Sequence, residues 1–429
     1  SENLAILGGP KAVQRPFPTW PRKTDADAEA LLAAFWGTGR EAVEPGGVIG
    51  AFERDFAAYQ GRRYALAVSG GTAALTLGVM AAGAGPGDEV VVSPYTWGAT
   101  VGCILAANAI PVFADVDPRT LNVDPAAVER KITPRTKAIV VVHMYGQAAE
   151  MSPIMEVARG HGLAVIEDCA QAHGAVYEGR KVGSIGDFGC FSFQASKHLP
   201  TLEGGMLLVD EEDRYQQALM LAMHPRRQII ELEARPNAKY LDSIGFNFRM
   251  HPYAAALGRT RLPRLDADNV RRRRQVGRLA AALADVPGIE PLFPRPRDSH
   301  TYYTMPFRYH GQELHGLPRA AYLAAVQAEG VDLATYVHVP IHLRPRSQEF
   351  VFYGKECPWH CPHSGQQIAY HRGDCPNAEA YCAEEELTLY TTPFCDADDE
   401  LVDQVALAFA KVAEQHGKLL TGKAESQAS

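Results

Sequence analysis

Lys197 stands at the end of "GCFSFQASK" (189–197), whose apolar start reads as a strand, and is followed by a loop closed by two glycines, Gly204 and Gly205. Lysines usually decorate solvated helix faces; an amine where a strand ends against a tight turn is placed for covalent chemistry with a carbonyl. Three other strand-like runs also end on residues able to do chemistry. "YALAVSGGTAAL" (64–75) ends in Gly70, Gly71 and Thr72 opening a helix, where backbone N–H groups, the helix dipole and a hydroxyl form an anion site. "LAVIEDCAQAH" (163–173) brings a carboxylate, Asp168, with Gln171 and His173 just beyond, and "VVVSPYTW" (90–97) ends on Trp97, a ring able to stack on a flat ligand. Each has a plain structural use as well: a Gly-Gly turn, a helix-capping aspartate, a core tryptophan.

Together these pieces describe one ligand, with an anionic group, a flat ring, a basic ring nitrogen and an aldehyde. Pyridoxal 5'-phosphate has all four. Its aldehyde would condense with Lys197, and Asp168 would keep the pyridine nitrogen protonated so that the ring draws electrons. Ser192 stands inside the Lys197 run, a hydroxyl five residues before the amine.

Such convergence requires that the strand ends share one edge. From about residue 50 to 250, apolar runs of four to six residues alternate with helix-like segments, the pattern of an α/β fold with a mostly parallel sheet covered on both faces. Ligands of such sheets bind beyond the carboxyl ends of the strands. After about residue 262 the pattern changes to a long helix, an alternating strand "HTYYTMPFRYH" and two further helices, as in a smaller α+β lobe. The expected division is a large cofactor-binding domain with the N-terminal segment at 1–262 and a small C-terminal α+β domain at 263–429.

Composition narrows the class. The 429 residues carry a net charge of -8 and 46% hydrophobic residues, which argues against nucleic-acid or anionic-membrane partners. The basic run "VRRRRQ" (270–275) lies in a helical pattern and is expected on its solvated face. No apolar run is long enough for a membrane span, no signal-peptide pattern opens the sequence, and Cys103, Cys169 and Cys190 sit in apolar surroundings, so a cytoplasmic protein is expected.

The sequence resembles the DegT/DnrJ/EryC1/StrS family of sugar and aminocyclitol aminotransferases, which are fold-type I pyridoxal-phosphate enzymes. The likeness rests on ordered blocks: "GGVIGAFERDFAAYQGRRYALAVSGGTAALTLG", "GDEVVVSPYTWGATVGCILAANAIPVFADVD", "VVHMYGQ", "IEDCAQAHGA", "GDFGCFSFQASKHLPTLEGG" and "GFNFRMHPYAAALG". It implies the fold-type I architecture, with a seven-stranded-type sheet in the large domain. Lys197 would be the Schiff-base lysine and Asp168 the partner of the pyridine nitrogen. Gln171 would meet the ring's phenolic oxygen, Gly71, Thr72 and Ser192 the phosphate, and Trp97 the ring face. Asn247 and Arg249 would reach the cofactor of a neighbouring subunit, implying a homodimer with shared sites. The implied reaction moves an amino group from glutamate or glutamine to a ketone of a cyclitol or keto-sugar, in aminoglycoside-type or amino-sugar biosynthesis. The N-terminal "LAILGGPKAVQRPFPTWP" is similar to that of aminocyclitol-forming members.

Departures from the family are Gln194, where histidine is common, Leu202, where glycine is common, and an extended segment at 353–375 expected beside the substrate entrance. That segment holds Cys357, His360, Cys361, His363, His371 and Cys375, but lacks paired C-x2-C units, and a small packed cluster is expected rather than a metal site. Two alternatives differ in class. A deoxysugar dehydratase would have histidine in place of Lys197, which a one-residue shift to His198 would supply; a non-catalytic cofactor-binding partner subunit would have lost residues that are all present here.

Overall fold

The computed structural model describes residues 3–37, 39–222, 225–232, 245–292, 300–365 and 368–420; the polar tail after Leu420 lies outside them. Seven strands form the main sheet: β1 (Tyr64–Val68), β2 (Glu89–Val92), β3 (Ile110–Phe113), β4 (Thr136–Val142), β5 (Ala164–Asp168), β8 (Phe188–Ser192) and β9 (Gly205–Val209). A two-stranded ribbon, β6 (Val176–Tyr177) and β7 (Arg180–Lys181), interrupts the chain order. The sheet order is β1-β9-β8-β5-β4-β2-β3, and β9 runs antiparallel to both of its neighbours while the others are parallel.

These strands are short and apolar on both faces because helices cover both sides. One layer, including Gly71–Ala81 and Gly98–Ala106, packs on Leu66, Val90, Val140, Ile166 and Leu207. The opposite layer, including Val48–Gln60 and Met151–His161, packs on Ala67, Val91, Ile139, Val165 and Leu208. Alternate residues of each strand thus feed opposite cores. Behind β4 and β5, buried Glu167 accepts from the N–H groups of Gly183, Ile185 and Gly186 and from His143 Nε2 at 3.0 Å. His143 Nδ1 in turn accepts from Ala149 N. Glu167, His143 and nearby Cys169 form the one cluster of metal-ligating types found among the described residues, but both imidazole nitrogens are already engaged, so it braces the sheet.

A second, antiparallel sheet is built by β10 (Ile289–Pro291), β11 (Thr304–Tyr309), β12 (Leu333–Ala334) and β13 (Glu386–Tyr390), in the order β10-β11-β13-β12. It shares a core with the helices Leu265–Leu283, Arg319–Ala328 and Asp399–Glu414. Leu4 and Val13 belong to that core too, and Glu329 accepts from Ala5 N at 2.7 Å and Ala12 N at 2.9 Å.

Two expectations are corrected. Arg272, within the basic run, is fully buried rather than solvated; it donates to Thr392 O and to Asn269 Oδ1 at 2.6 Å, tying the long helix to the loop after β13. The 353–375 segment does not stand beside the substrate entrance: Tyr353 donates to Ala106 O, Tyr370 to Pro111 O, and His363 O lies close to Gly87, all along the β3 edge. Trp359 is buried there with Tyr370, whose hydroxyl accepts from its indole N–H, while His360 uses both ring nitrogens on Glu356 and Ile368 O.

Candidate active site

Beyond the carboxyl ends of the strands lies a cavity of about 390 Å3. Gly71, Thr72, Trp97, Asp168, Gln171, Ser192 and Lys197 all line it, although they come from four separate stretches of chain.

The glycine turn closes one end. Gly70 is extended and precedes the helix Gly71–Ala81, leaving that helix's first N–H groups facing the cavity with Thr72 exposed beside them. A Cβ on Gly71 would fall 2.7 Å from Ser192 Cβ, and one on Gly205 would fall 2.4 Å from the Gly70 carbonyl carbon. Backbone therefore approaches backbone at a junction of β1, β8 and β9, which makes a cradle suited to a phosphate.

Asp168, only 5% exposed, ends β5. No helix follows it: residues 169–175 form turns, which removes the helix-cap alternative. Thr100 Oγ1 donates to Asp168 Oδ2 at 2.8 Å and Ala170 N to Oδ1 at 3.1 Å. Burial pushes its carboxyl above the usual carboxylate range, against the pull of these two bonds and of the Lys197 charge. No arginine, lysine or histidine ion-pairs with it among the described residues. A buried carboxylate without a counter-charge, facing a cavity, is what a protonated ring nitrogen would complete.

Gln171 is held at both ends. Its Oε1 accepts from Tyr145 N at 2.8 Å and its Nε2 donates to Tyr336 OH at 2.7 Å. Tyr145 lies against Tyr95, whose hydroxyl donates to Glu386 at 2.7 Å, so β13 of the second sheet is wired to the cavity wall. Trp97 is 62% exposed, which excludes the core-packing alternative; its ring sits 6.1 Å from that of Tyr336.

Lys197 Nζ lies 4.2 Å from the centre of the Tyr303 ring. Its main chain is fixed by Trp20 Nε1, which donates to Lys197 O, and by its own N–H to Gln194 O at 2.9 Å. The adjacent His198 turns the other way. It is buried, donates from Nε2 to Thr301 O at 3.1 Å, and does not line the cavity. Burial depresses it well below the usual histidine range, as it does the neighbouring His173, which falls to about 3. The lysine, not the histidine a dehydratase would need, is the residue presented.

Asn247 and Arg249 do not line this cavity. Their segment is pinned beside the end of β1, with Ser69 N donating to Phe248 O at 2.7 Å and Arg249 bridging Val68. Asn247 is exposed. The helix expected from about Pro252 runs Pro252–Arg261, with His251 as its cap.

Thr96, Thr100, Ser196, Tyr303 and Tyr336 were not singled out in the sequence. Thr96 and Thr100, four residues apart and 2.9 Å from each other through their hydroxyls, carried a signal: hydroxyls recurring at the start of an otherwise apolar helix. Tyr303 and Tyr336 come from the C-terminal half and carried none.

The model of the DegT/DnrJ/EryC1/StrS aminotransferase family matches residues 26–408. The L-glutamine:2-deoxy-scyllo-inosose aminotransferase of Streptoalloteichus tenebrarius is 35% identical over 430 residues, spanning 97% of this chain and 99% of its own. The spore coat polysaccharide biosynthesis protein SpsC of Bacillus subtilis is 36% identical over 359 residues, 82% of this chain and 87% of its own. Among solved structures, 3-amino-5-hydroxybenzoic acid synthase superposes with a TM-score of 0.76 at 27% identity, over 92% of this chain and 98% of that one. DesI, solved with its TDP-sugar product, gives 0.77 at 28% identity over 98% and 99%. With the fold, a fitting pyridoxal-phosphate cavity and these matches in agreement, the chain belongs to the DegT/DnrJ/EryC1/StrS family and is a pyridoxal-phosphate-dependent aminotransferase of fold type I.

Proposed function

We propose that this enzyme transfers the amino group of glutamine, or of glutamate, to the ketone of a cyclitol, in the assembly of an aminoglycoside-type product. The observation that carries the acceptor is the near-complete coverage by relatives named for 2-deoxy-scyllo-inosose, three of them matched over 97–98% of this chain. Nucleotide-linked keto-sugars are the competing class.

Pyridoxal phosphate supplies an aldehyde that condenses with amines and a ring that withdraws electrons. The residues present divide that work. Thr72, Ser192 and the N–H groups opening the helix at Gly71 hold the phosphate. Asp168, kept in place by Thr100 and Ala170, holds a proton on the ring nitrogen. Gln171 meets the phenolic oxygen, and Trp97 covers a ring face. The Lys197 amine would anchor the cofactor and would move the proton from the donor's α-carbon, acting as base and then acid.

A homodimer with shared sites, formed in the cytoplasm, completes the proposal. Its support is the exposed position of Asn247 at the β1 edge and the exposed Leu32, Phe35 and Trp36 on the helix Asp25–Gly37. No helix among the described residues is long and apolar enough to cross a membrane. A domain boundary at residue 262 belongs to the proposal, with residues 4–13 packed on the C-terminal core rather than in the large domain.

The test is single turnover of the amine-loaded enzyme against a panel of keto-cyclitols and nucleotide-linked keto-sugars. Faster decay of the loaded form with a nucleotide keto-sugar than with any keto-cyclitol would reject the acceptor class.

A further inference from the structure

Gln194, Ser196 and Tyr303 form a hydrogen-bonded chain on the cavity wall, and the direction of every proton in it is fixed. The Ser196 backbone N–H can only donate, so the Gln194 atom 2.8 Å away is the carbonyl oxygen Oε1, which removes the usual ambiguity of an amide flip. Ser196 Oγ lies 2.6 Å from that same oxygen, which can only accept, so the serine proton points to it. Ser196 Oγ is then an acceptor towards Tyr303 OH at 2.9 Å, and the tyrosine proton points to the serine. The frame is held from outside the cavity by Tyr390 OH, which donates to Ser196 O at 2.6 Å.

Two groups are left over. Gln194 Nε2 retains its N–H donors and the Tyr303 oxygen retains lone pairs only; neither has another partner among the described residues. The pair stands beside the lysine, whose Nζ is 4.2 Å from the Tyr303 ring centre. We infer that Gln194 and Tyr303 form a donor–acceptor pair that selects a ketone flanked by hydroxyl groups, the amide N–H donating to one hydroxyl oxygen and the phenolic oxygen accepting a hydroxyl proton.

Each hydroxyl of a polyol ring both donates and accepts, so adjacent ones satisfy both groups. A carboxylate would satisfy the amide and be repelled by the tyrosine lone pairs; an apolar ring would leave both unpaired. Discrimination by a hydrogen-bonding site against a substrate lacking the group is steep for this reason. Gln194 is thus a specificity residue, and Ser196 a positioning residue that holds it and Tyr303 in register. The inference rests on the amino-transfer reading only in that the acceptor must enter this cavity.

The test uses the pyridoxamine-phosphate-loaded enzyme and scyllo-inositol, a polyol with no ketone to react, with its dissociation constant read from the cofactor absorbance or by calorimetry. Gln194→Glu keeps the inner oxygen for Ser196 but turns the outward donor into an acceptor; Gln194→Met removes the donor without adding charge; Tyr303→Phe removes the acceptor. Each should weaken scyllo-inositol by about 10-fold to 100-fold while the cofactor stays bound. Unchanged affinity in Gln194→Met and Tyr303→Phe, an effect confined to Gln194→Glu and so attributable to charge, or a wild-type enzyme that does not bind scyllo-inositol would each overturn the inference. If keto-cyclitols fail in turnover while scyllo-inositol binding depends on Gln194, the acceptor reading falls and this one stands. If they turn over with a KM indifferent to Gln194→Met, this one falls alone.

Discussion

Replacing Asp168 by asparagine separates charge from shape at the ring-nitrogen position. The new side chain fits the old contacts with one reversal. The Ala170 N–H, 3.1 Å from Asp168 Oδ1, can only donate, so the asparagine oxygen takes that place and its NH2 faces Thr100 Oγ1, 2.8 Å from Oδ2 in the wild type. Thr100 must then accept instead of donate and turn its own proton to Thr96 Oγ1 at 2.9 Å, leaving the buried Thr96 hydroxyl proton without its former acceptor. One lost hydrogen bond costs about 1 kcal/mol, too little to unfold the protein. The chemical loss is larger. An adjacent opposite charge moves a partner's pKa by about 1–3 units, so removing it lowers the protonated fraction of the ring, and with it the rate, by about 10-fold to 1000-fold.

The assay is the single-turnover rate with glutamine, set against cofactor occupancy read from absorbance. A second readout is thermal stability. Because burial raises Asp168 in the folded cofactor-free protein, that protein gives up stability as pH rises through the carboxyl's folded range. At neutral pH, cofactor-free Asp168→Asn should therefore melt no lower than cofactor-free wild type, apart from the hydrogen-bond cost, while the loaded variant should melt below loaded wild type. A variant with near-normal turnover, or one whose rate falls only in step with lost cofactor, would refute the reasoning.

Lys197→Ala should keep part of its cofactor through the phosphate and ring contacts yet lose turnover by many orders of magnitude, and borohydride, which fixes cofactor to Lys197 in wild type, should label no residue in the variant; peptide mapping checks both. His173, depressed to about 3 by burial, takes up its proton near pH 6.5 only when unfolded, so stability should fall as pH drops from 6.5 towards 3, by up to about 1.4 kcal/mol per pH unit. His173→Phe, placed against Phe191 and Phe193, should flatten that slope in denaturant titrations. Mixing Lys197→Ala and Asn247→Ala chains should restore activity above either parent, because one site per heterodimer is intact; no restoration in heterodimers verified by native mass spectrometry, given a defective Asn247→Ala parent, would sink the shared site.

The strands were legible because burial on both faces leaves continuous apolar runs, and the cavity was legible because its residues follow those runs immediately. Strand direction was not: "GGMLLVD" reads the same in either sense, and only the structure places β9 antiparallel between β1 and β8. Arg272 was misplaced because a charge run signals solvent unless backbone carbonyls wait inside for it, and Thr392 O lies 120 residues away. The 353–375 segment was recognisable as an insertion, but nothing local to it names Ala106 or Pro111 as its anchors. Gln194 stood out as a departure, and its meaning came only with Tyr303, which the chain supplies more than a hundred residues later.

The docking of residues 4–13 has a consequence for how the molecule is made. Ala5 and Ala12 bond to Glu329, and the pocket receiving them also needs Lys411, which donates to Pro10 O and to Glu329. During synthesis residues 4–13 leave the ribosome with no surface to bind until the helix Asp399–Glu414 follows them. Trp20, which lies between that anchor and the main sheet, steadies the Lys197 carbonyl. The lysine loop therefore acquires its last support only after residues 399–414 have been made, and nascent chains arrested before residue 399 should expose residues 4–13 to proteases although the parallel sheet is already built.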